Sequence, residues 1–415
     1  MNQQKTVRIK RTNIPLLLMM FALVVFGLIV LYSVSAPAGY GKSKDSFFYV
    51  SKQIQYTLVG LVPCIALNFV DVNWFKKKIV CLVTYGVTLV AIIFTAVAGK
   101  TINGAKRWIG FGGLTFQTSE LAKIGLVLSY ACYRSWILDL RKKGKLKAET
   151  PGRQILKDAM FDLILPIGLA AVVDLFIIAQ PHVSCALIIA FVIFMCALAS
   201  GVSGKSWVIS LSILLGMAIV GLLAFSIFNP GFVEKNFQHA FKRVQIYQSQ
   251  HGDEEAATAL TDDDTRQVDN AHNALGSGGL KGMGLGNSRS KYFYVSEAQN
   301  DYIFSIFVEE TGFIGGTFLI VVYLVFFGVS IWVILRTNSV FTRMLATGYT
   351  SLIMIQVLLN IAVELQVIPA TGVTLPFISY GGTAQIFLLT SYGMLLCVAR
   401  SGVRFKEERK LETYR

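Results

Sequence analysis

Long apolar runs recur along almost the whole chain, separated mostly by short polar segments. They fall near 14–35, 52–70, 79–98, 119–138, 160–179, 183–200, 206–228, 301–332, 344–366 and 376–399. A run of roughly 20 apolar residues is long enough to cross a bilayer. Lipid offers no partner to a free backbone amide or carbonyl, so each run is expected to be a helix. The pattern predicts an all-α polytopic membrane protein with ten transmembrane helices and both termini on one side. One membrane domain, 1–415, is expected, with tails at 1–13 and 400–415 and a long loop at 229–299 between helices seven and eight. The shortest connection, Gln180-Pro181-His182, makes the boundary between the fifth and sixth runs the least defined.

Composition narrows the class. The chain is 54% hydrophobic and 15% charged, with a mean hydropathy of +0.59. Soluble domains carry about 25% charged residues, so this chain lacks the polar surface to cover several soluble cores. Its net charge of +14, from 38 Lys+Arg against 24 Asp+Glu, raises a nucleic-acid hypothesis. The positions of the charges answer it. With the N-terminus inside, the inner segments carry 23 Lys+Arg and the short outer loops carry 6. That bias sets orientation, placing both termini in the cytoplasm and 229–299 outside. No nucleic-acid partner is expected. Val34-Ser35-Ala36 resembles a signal-peptide cleavage site, but the apolar run before it is longer than the usual signal core. All six cysteines lie in or beside the apolar runs without C-x-x-C spacing, which predicts neither a disulfide framework nor a metal site.

Chemistry is concentrated where polar residues meet these runs. Asp253 to Asp264 is an acidic stretch expected to be featureless. The glycine-rich run Gly276 to Gly286 admits two readings, a plain flexible loop or a backbone cradle for an anion. It is no Walker loop, because no Gly-Lys-Ser/Thr follows and no strand precedes. Asp301, at the start of the eighth run, reads either as a carboxylate satisfying free helix amides or as a catalytic group. In the second case a general base, a metal ligand, or both stay open, although the helix dipole lowers its basicity. Glu120 and Lys123 share one helix face and can neutralise each other. Glu309 and Glu310 are adjacent, and Asp174 and Glu364 are isolated acids within the runs. Charges there are costly; they either tie helices together or line a polar cavity, which keeps a transporter in view. Lys106 and Arg107 are outer cations beside Trp108, a pairing suited to a phosphate. Pro369 to Gly382 is too rich in proline and glycine for unbroken helix, so it belongs against protein or a cavity.

These segments together resemble the SEDS family (shape, elongation, division and sporulation), which includes FtsW, RodA and SpoVE. The motifs occur in family order: Asn103 to Ile109; Gln117-Thr118-Ser119-Glu120 to Lys123; Gly276 to Gly286; Glu297 to Phe304 with Glu309-Glu310-Thr311-Gly312; and Thr374 to Gly382. The last leans towards the FtsW/SpoVE branch. The resemblance implies a multi-pass protein of the bacterial cytoplasmic membrane. Its implied activity is that of a peptidoglycan glycosyltransferase, polymerising lipid II at the outer membrane face during division, elongation or sporulation. Asp301 falls on the family's catalytic aspartate. Lys106, Arg107, Glu297 and Ser379 are implied to bind substrate or diphosphate. Gln117, Glu120, Lys123, Glu309 and Glu310 are implied to shape the cavity. A divalent cation, magnesium or manganese, is implied with Asp301 as a candidate ligand, and no organic cofactor. A class B penicillin-binding protein with divisome or elongasome components is the implied partner.

Two departures bear on this. The family's Gln-Pro-Asp becomes Gln180-Pro181-His182 here, and its Pro-Glu-x-His-Thr-Asp becomes Ser296 to Asp301 with the polar neighbours changed. A lipid II flippase and a non-catalytic scaffold therefore remain as alternatives.

Overall fold

The computed structural model describes residues 12–102, 105–111, 114–228, 241–252, 260, 262–292, 295 and 297–413. Twelve α-helices are described, in chain order. They are α1 (Ile14–Ser43), α2 (Phe48–Phe69), α3 (Lys78–Ala98), α4 (Thr118–Lys142), α5 (Pro151–Ile178), α6 (Val183–Ala199) and α7 (Gly204–Phe228). Then follow α8 (241–250), α9 (Asp262–Ser277), α10 (Ile303–Leu335), α11 (Val340–Glu364) and α12 (Gly382–Thr413). A helix lies on every predicted apolar run, and α8 and α9 are additional. Seven are long and apolar enough to cross a membrane among the described residues: α1, α2, α3, α5, α10, α11 and α12. Helix α6 is apolar but shorter, α7 is apolar over Gly204–Met217, the part whose side chains are described, and α4 is more polar because it carries buried charges.

The fold is mostly helical but not all-α. Residues between α3 and α4 form a three-stranded antiparallel sheet, β1 (Lys100–Ile102), β2 (Ala105–Phe111) and β3 (Leu114–Gln117), in that order. Lys100 pairs with Trp108, and Trp108 with Gln117. The sequence between the strands, Asn103-Gly104 and Gly112-Gly113, is the type that two-residue hairpins prefer. The long loop is also more structured than expected, since it contains α8 and α9. Of its acidic stretch, 253–259 and 261 lie outside the described residues, and Asp262 opens α9.

Helix α4 is the hub, buried along most of its length and packed against α3, α6 and α11. Helix α12 packs closely along α2, where a Cβ on Gly393 would sit 2.6 Å from the Cα of Cys64. Such small-residue approach is how helices associate in lipid. A buried ion network secures the other end of α4. Arg134 and Arg141 each bind Asp162 at 2.6 Å, and Asp162 sits in a π-helical turn of α5, Met160–Ile164. The phenol of Tyr130 donates to the carbonyl of the same aspartate (3.0 Å).

The glycine-rich run finds its explanation in α10. That helix is broken at Gly312, whose φ of 71° and ψ of −173° are nearly exclusive to glycine. The run packs its backbone into the break: Met283 N donates to Glu309 O (3.0 Å), Gly284 N to Glu310 O (2.9 Å) and Phe313 N to Gly279 O (2.8 Å). A Cβ on Gly282 or Gly312 would collide with backbone of the other segment. The run is neither a plain flexible loop nor an open cradle: it packs on α10, and the amides of Met283 and Gly284 are already used.

Candidate functional site

Two cavities meet at one seam on the side of the sheet. The first, about 390 Å³, is lined by residues of β2, β3, the start of α4, and the segment leading into α12. The second, about 680 Å³, lies between α8, the start of α6, and residues 368–372. Arg107, His182, Asp301 and Gly372 line both. Helices α4, α6, α10 and α12 all begin around this seam. Their amino ends carry partial positive charge, so the site favours an anion before any side chain is counted.

Asp301 precedes Tyr302, the N-cap residue of α10. Its carboxylate makes no hydrogen bond among the described residues and lines both cavities. The capping role that the sequence allowed for it is filled elsewhere: Phe304 N and Ser305 N donate to the two carboxylate oxygens of Glu364. The backbone at Asp301 is fixed by Asn360, which donates to its carbonyl and to that of Val373, each at 2.9 Å. Burial pushes the Asp301 carboxyl up to about 6, Arg243 pulls against it, and Glu297 adds to the rise.

Arg243, on α8, is the site residue that sequence reasoning missed. Its Nη1 donates to the carbonyl of Thr371 (2.9 Å). Gly372 has a φ of 68°, and a Cβ there would lie 3.3 Å from Arg243 Nη2 and 3.5 Å from Asp301 Oδ2. Arg107 reaches in from β2, donating through Nε to the carbonyl of Gln180 (3.1 Å) and through Nη2 to that of Pro181. Burial and Arg243 together lower its pKa. Both guanidiniums line the second cavity, an arrangement suited to an anion. His182 is held at about 3 by burial and then by Arg107, Lys123 and Arg243, so it stays neutral.

Deeper in the first cavity, Lys123 Nζ lies 2.7 Å from Glu120 Oε1 and 3.3 Å from Gln356 Oε1. Gln117 lines the same wall. These three expected residues are therefore brought together with Arg107 and Asp301. Lys106 is not: it is exposed on β2 and lines neither cavity. Glu297 is exposed and accepts from Asn300 Nδ2 (2.6 Å), acting on Asp301 through its charge. Ser379 is buried, and its hydroxyl accepts from Leu375 N (2.8 Å), holding the turn before α12. Glu309 and Glu310 lie away from both cavities. Glu309 accepts from Ser288 Oγ and Arg289 N, and Glu310 from Ser33 Oγ and Lys291 Nζ (2.7 Å). They tie the segment before α10 to α10 itself and to α1. Asp174 keeps one buried oxygen without a partner among the described residues.

No group of three or more His, Cys, Asp and Glu side chains that could hold a metal occurs among the described residues. That donor set does not make a cage built from protein alone. Asp301 alone could hold magnesium or manganese only together with the phosphates of a ligand, which commonly supply the other oxygens.

Long apolar helices with polar-lined cavities at their ends define a multi-pass membrane protein. The profile of the Cell cycle protein family of FtsW, RodA and SpoVE matches residues 14–403, and the chain belongs to that family, in the cytoplasmic membrane. It is 31% identical over 398 residues to the probable peptidoglycan glycosyltransferase FtsW of Geobacter sp. (strain M18), covering 94% of this chain and 98% of that protein. It is 30% identical over 393 residues to stage V sporulation protein E of Bacillus subtilis (strain 168), covering 94% and 98%. Its fold is similar to the rod shape determining protein RodA of Thermus thermophilus, with a TM-score of 0.61, 23% identity, and 94% and 97% coverage. A chain from "Structural coordination of polymerization and crosslinking by a peptidoglycan synthase complex" gives a TM-score of 0.65, with 24% identity and 94% and 98% coverage.

Proposed function

We propose that this protein is a peptidoglycan glycosyltransferase that polymerises lipid II at the outer face of the cytoplasmic membrane, in division, elongation or sporulation. The observation that carries the reading is the Asp301 carboxylate, uncapped, at the seam of two cavities beside Arg107 and Arg243. Two cavities accommodate two substrates, and the seam is where their reacting atoms would meet. Near pH 7 a carboxyl with a pKa of about 6 is mostly ionised, yet more basic than an ordinary aspartate.

In the proposed reaction Asp301 takes the proton from the 4-hydroxyl of the acceptor lipid II. The hydroxyl oxygen bonds to the anomeric carbon of the growing glycan, and the bond from that carbon to the diphosphate oxygen breaks. Negative charge develops on the departing undecaprenyl diphosphate, which Arg107, Arg243 and the helix amino ends would face. A divalent cation, when bound, supplies further neutralisation of that diphosphate. The Glu120–Lys123–Gln356 chain shapes the wall without adding net charge.

The site residues all lie on the side that the charge bias assigns to the outside, which supports ten spans, cytoplasmic termini and an extracytoplasmic 229–299 segment in one membrane domain. A class B penicillin-binding protein is the proposed partner, supported by the fold shared with a chain of a peptidoglycan synthase complex.

The test incubates purified protein, partner and magnesium or manganese with labelled lipid II. Wild type should form glycan polymer, and Asp301→Ala should lose about 100-fold or more of the rate. Polymer from both would remove Asp301 from the chemistry. Transbilayer movement of lipid II without polymer from either would support a flippase, and neither activity a scaffold.

A further inference from the structure

Glu364 is the last residue of α11 and is 2% exposed, yet it lines neither cavity. Its two carboxylate oxygens accept from Phe304 N (3.3 Å) and from Ser305 N, the second and third residues of α10. Those are the amides that an N-cap side chain usually satisfies. Tyr302, the N-cap residue itself, makes no such bond. One turn earlier on α11, Asn360 holds the carbonyls of Asp301 and Val373. Helix α11 thus supplies both the cap for α10 and the tether for the backbone just before it. Aspartate is a strong capping residue, and Asp301 lies next to the N-cap. Left without a partner, the buried amides of α10 would draw its carboxylate back.

We infer that Glu364 is a positioning residue, a cap lent by a neighbouring helix that releases Asp301 from its own helix and leaves its carboxylate facing the cavities. The consequence for catalysis rests on the glycosyltransferase reading; the cap itself does not. Glutamine at 364 would keep one amide-accepting oxygen, and alanine would keep none.

Two measurements test this, both on the full chain in lipid nanodiscs. The first is hydrogen exchange in peptides spanning 301–308. The amides of Phe304 and Ser305 should exchange as in wild type in Asp301→Ala and modestly faster in Glu364→Ala. In the double variant, with both candidate caps gone, exchange should be at least about tenfold faster. Acceleration by Asp301→Ala alone, or none in the double variant, overturns the inference. The second is lipid II polymerisation. Glu364→Ala should lower kcat by about 10- to 100-fold with KM within about twofold, and Glu364→Gln should lose about 3- to 10-fold. An unchanged kcat in Glu364→Ala overturns the positioning role. If Glu364→Ala fails to fold, Glu364→Gln and its double variant with Asp301→Ala carry the same comparison. If wild type makes no polymer while the exchange pattern holds, the cap stands and the glycosyltransferase reading falls.

Discussion

Replacing Arg243 with alanine removes the cation that holds the Asp301 carboxyl down against burial. A Cβ on Gly372 would lie within 3.3 Å of one group and 3.5 Å of the other. The two are therefore no more than about 7 Å apart, and at an effective dielectric near 20 a unit pair at that distance interacts by about 2.4 kcal/mol. Both side chains are partly open to the cavities, and solvent screening reduces this to about 1.4 kcal/mol, or one pKa unit. The sign is unambiguous: losing a nearby cation disfavours the carboxylate and raises its pKa. A general base must be ionised, so the acidic limb of the rate profile should move up from about 6 to about 7. Arg243→Ala would also slow the reaction at every pH if the guanidinium faces the leaving diphosphate, so the shape of the profile is the readout. The ratio of initial polymerisation rate at pH 6.5 to that at pH 8 should fall about threefold relative to wild type. Arg243→Lys, which keeps the charge, should retain the wild-type limb. An Arg243→Ala limb that coincides with wild type, or lies below it, would refute the electrostatic argument.

Two further predictions separate residues that look alike in the sequence. Lys106→Ala should polymerise lipid II within about twofold of wild type, whereas Arg107→Ala should lose about 10- to 100-fold, because only Arg107 enters the cavities. Equal losses in a steady-state assay would mean that the sheet presents both cations to substrate. Gly312→Ala should lower stability by about 2–3 kcal/mol, through its positive φ and its collision with Gly282 and Leu280. Gly328→Ala, in regular helix with open space at its Cβ, is the control and should be neutral or slightly stabilising in the same thermal unfolding measurement.

What the sequence made legible followed from hard physical limits. An apolar run of bilayer length has little choice but to be a helix, so every predicted run carries one. The sheet had a weaker signal, two-residue Asn-Gly and Gly-Gly punctuation, which is readable only if an outer loop is examined for hairpins. The π-helical turn and its Asp162 network left no periodic trace. Glu309 and Glu310 illustrate the reverse error. Acidic residues within an apolar run are costly anywhere, which left a tie between segments or a cavity open, and the family resemblance pointed to the cavity. Cost alone does not say where a side chain points, and these two accept from Ser288, Arg289 and Lys291 before α10 and from Ser33 of α1 instead.

The site itself was half legible, and the missing half changes the chemistry. Arg243 escaped because long outer segments are exempt from the bias that made Lys106 and Arg107 conspicuous. Asp301 was visible, but so was an objection to it: a carboxylate at a helix start is stabilised by the dipole and by free amides, which makes it a weaker base. The structure removes much of that objection with a residue sixty-three positions away, since Glu364 already holds the amides that Asp301 would otherwise accept from. Burial and then the Glu297 charge raise the Asp301 carboxyl, and Arg243 opposes them. The helix-start amides that sequence alone would assign to Asp301 are thus held by a residue it could mark only as an isolated acid.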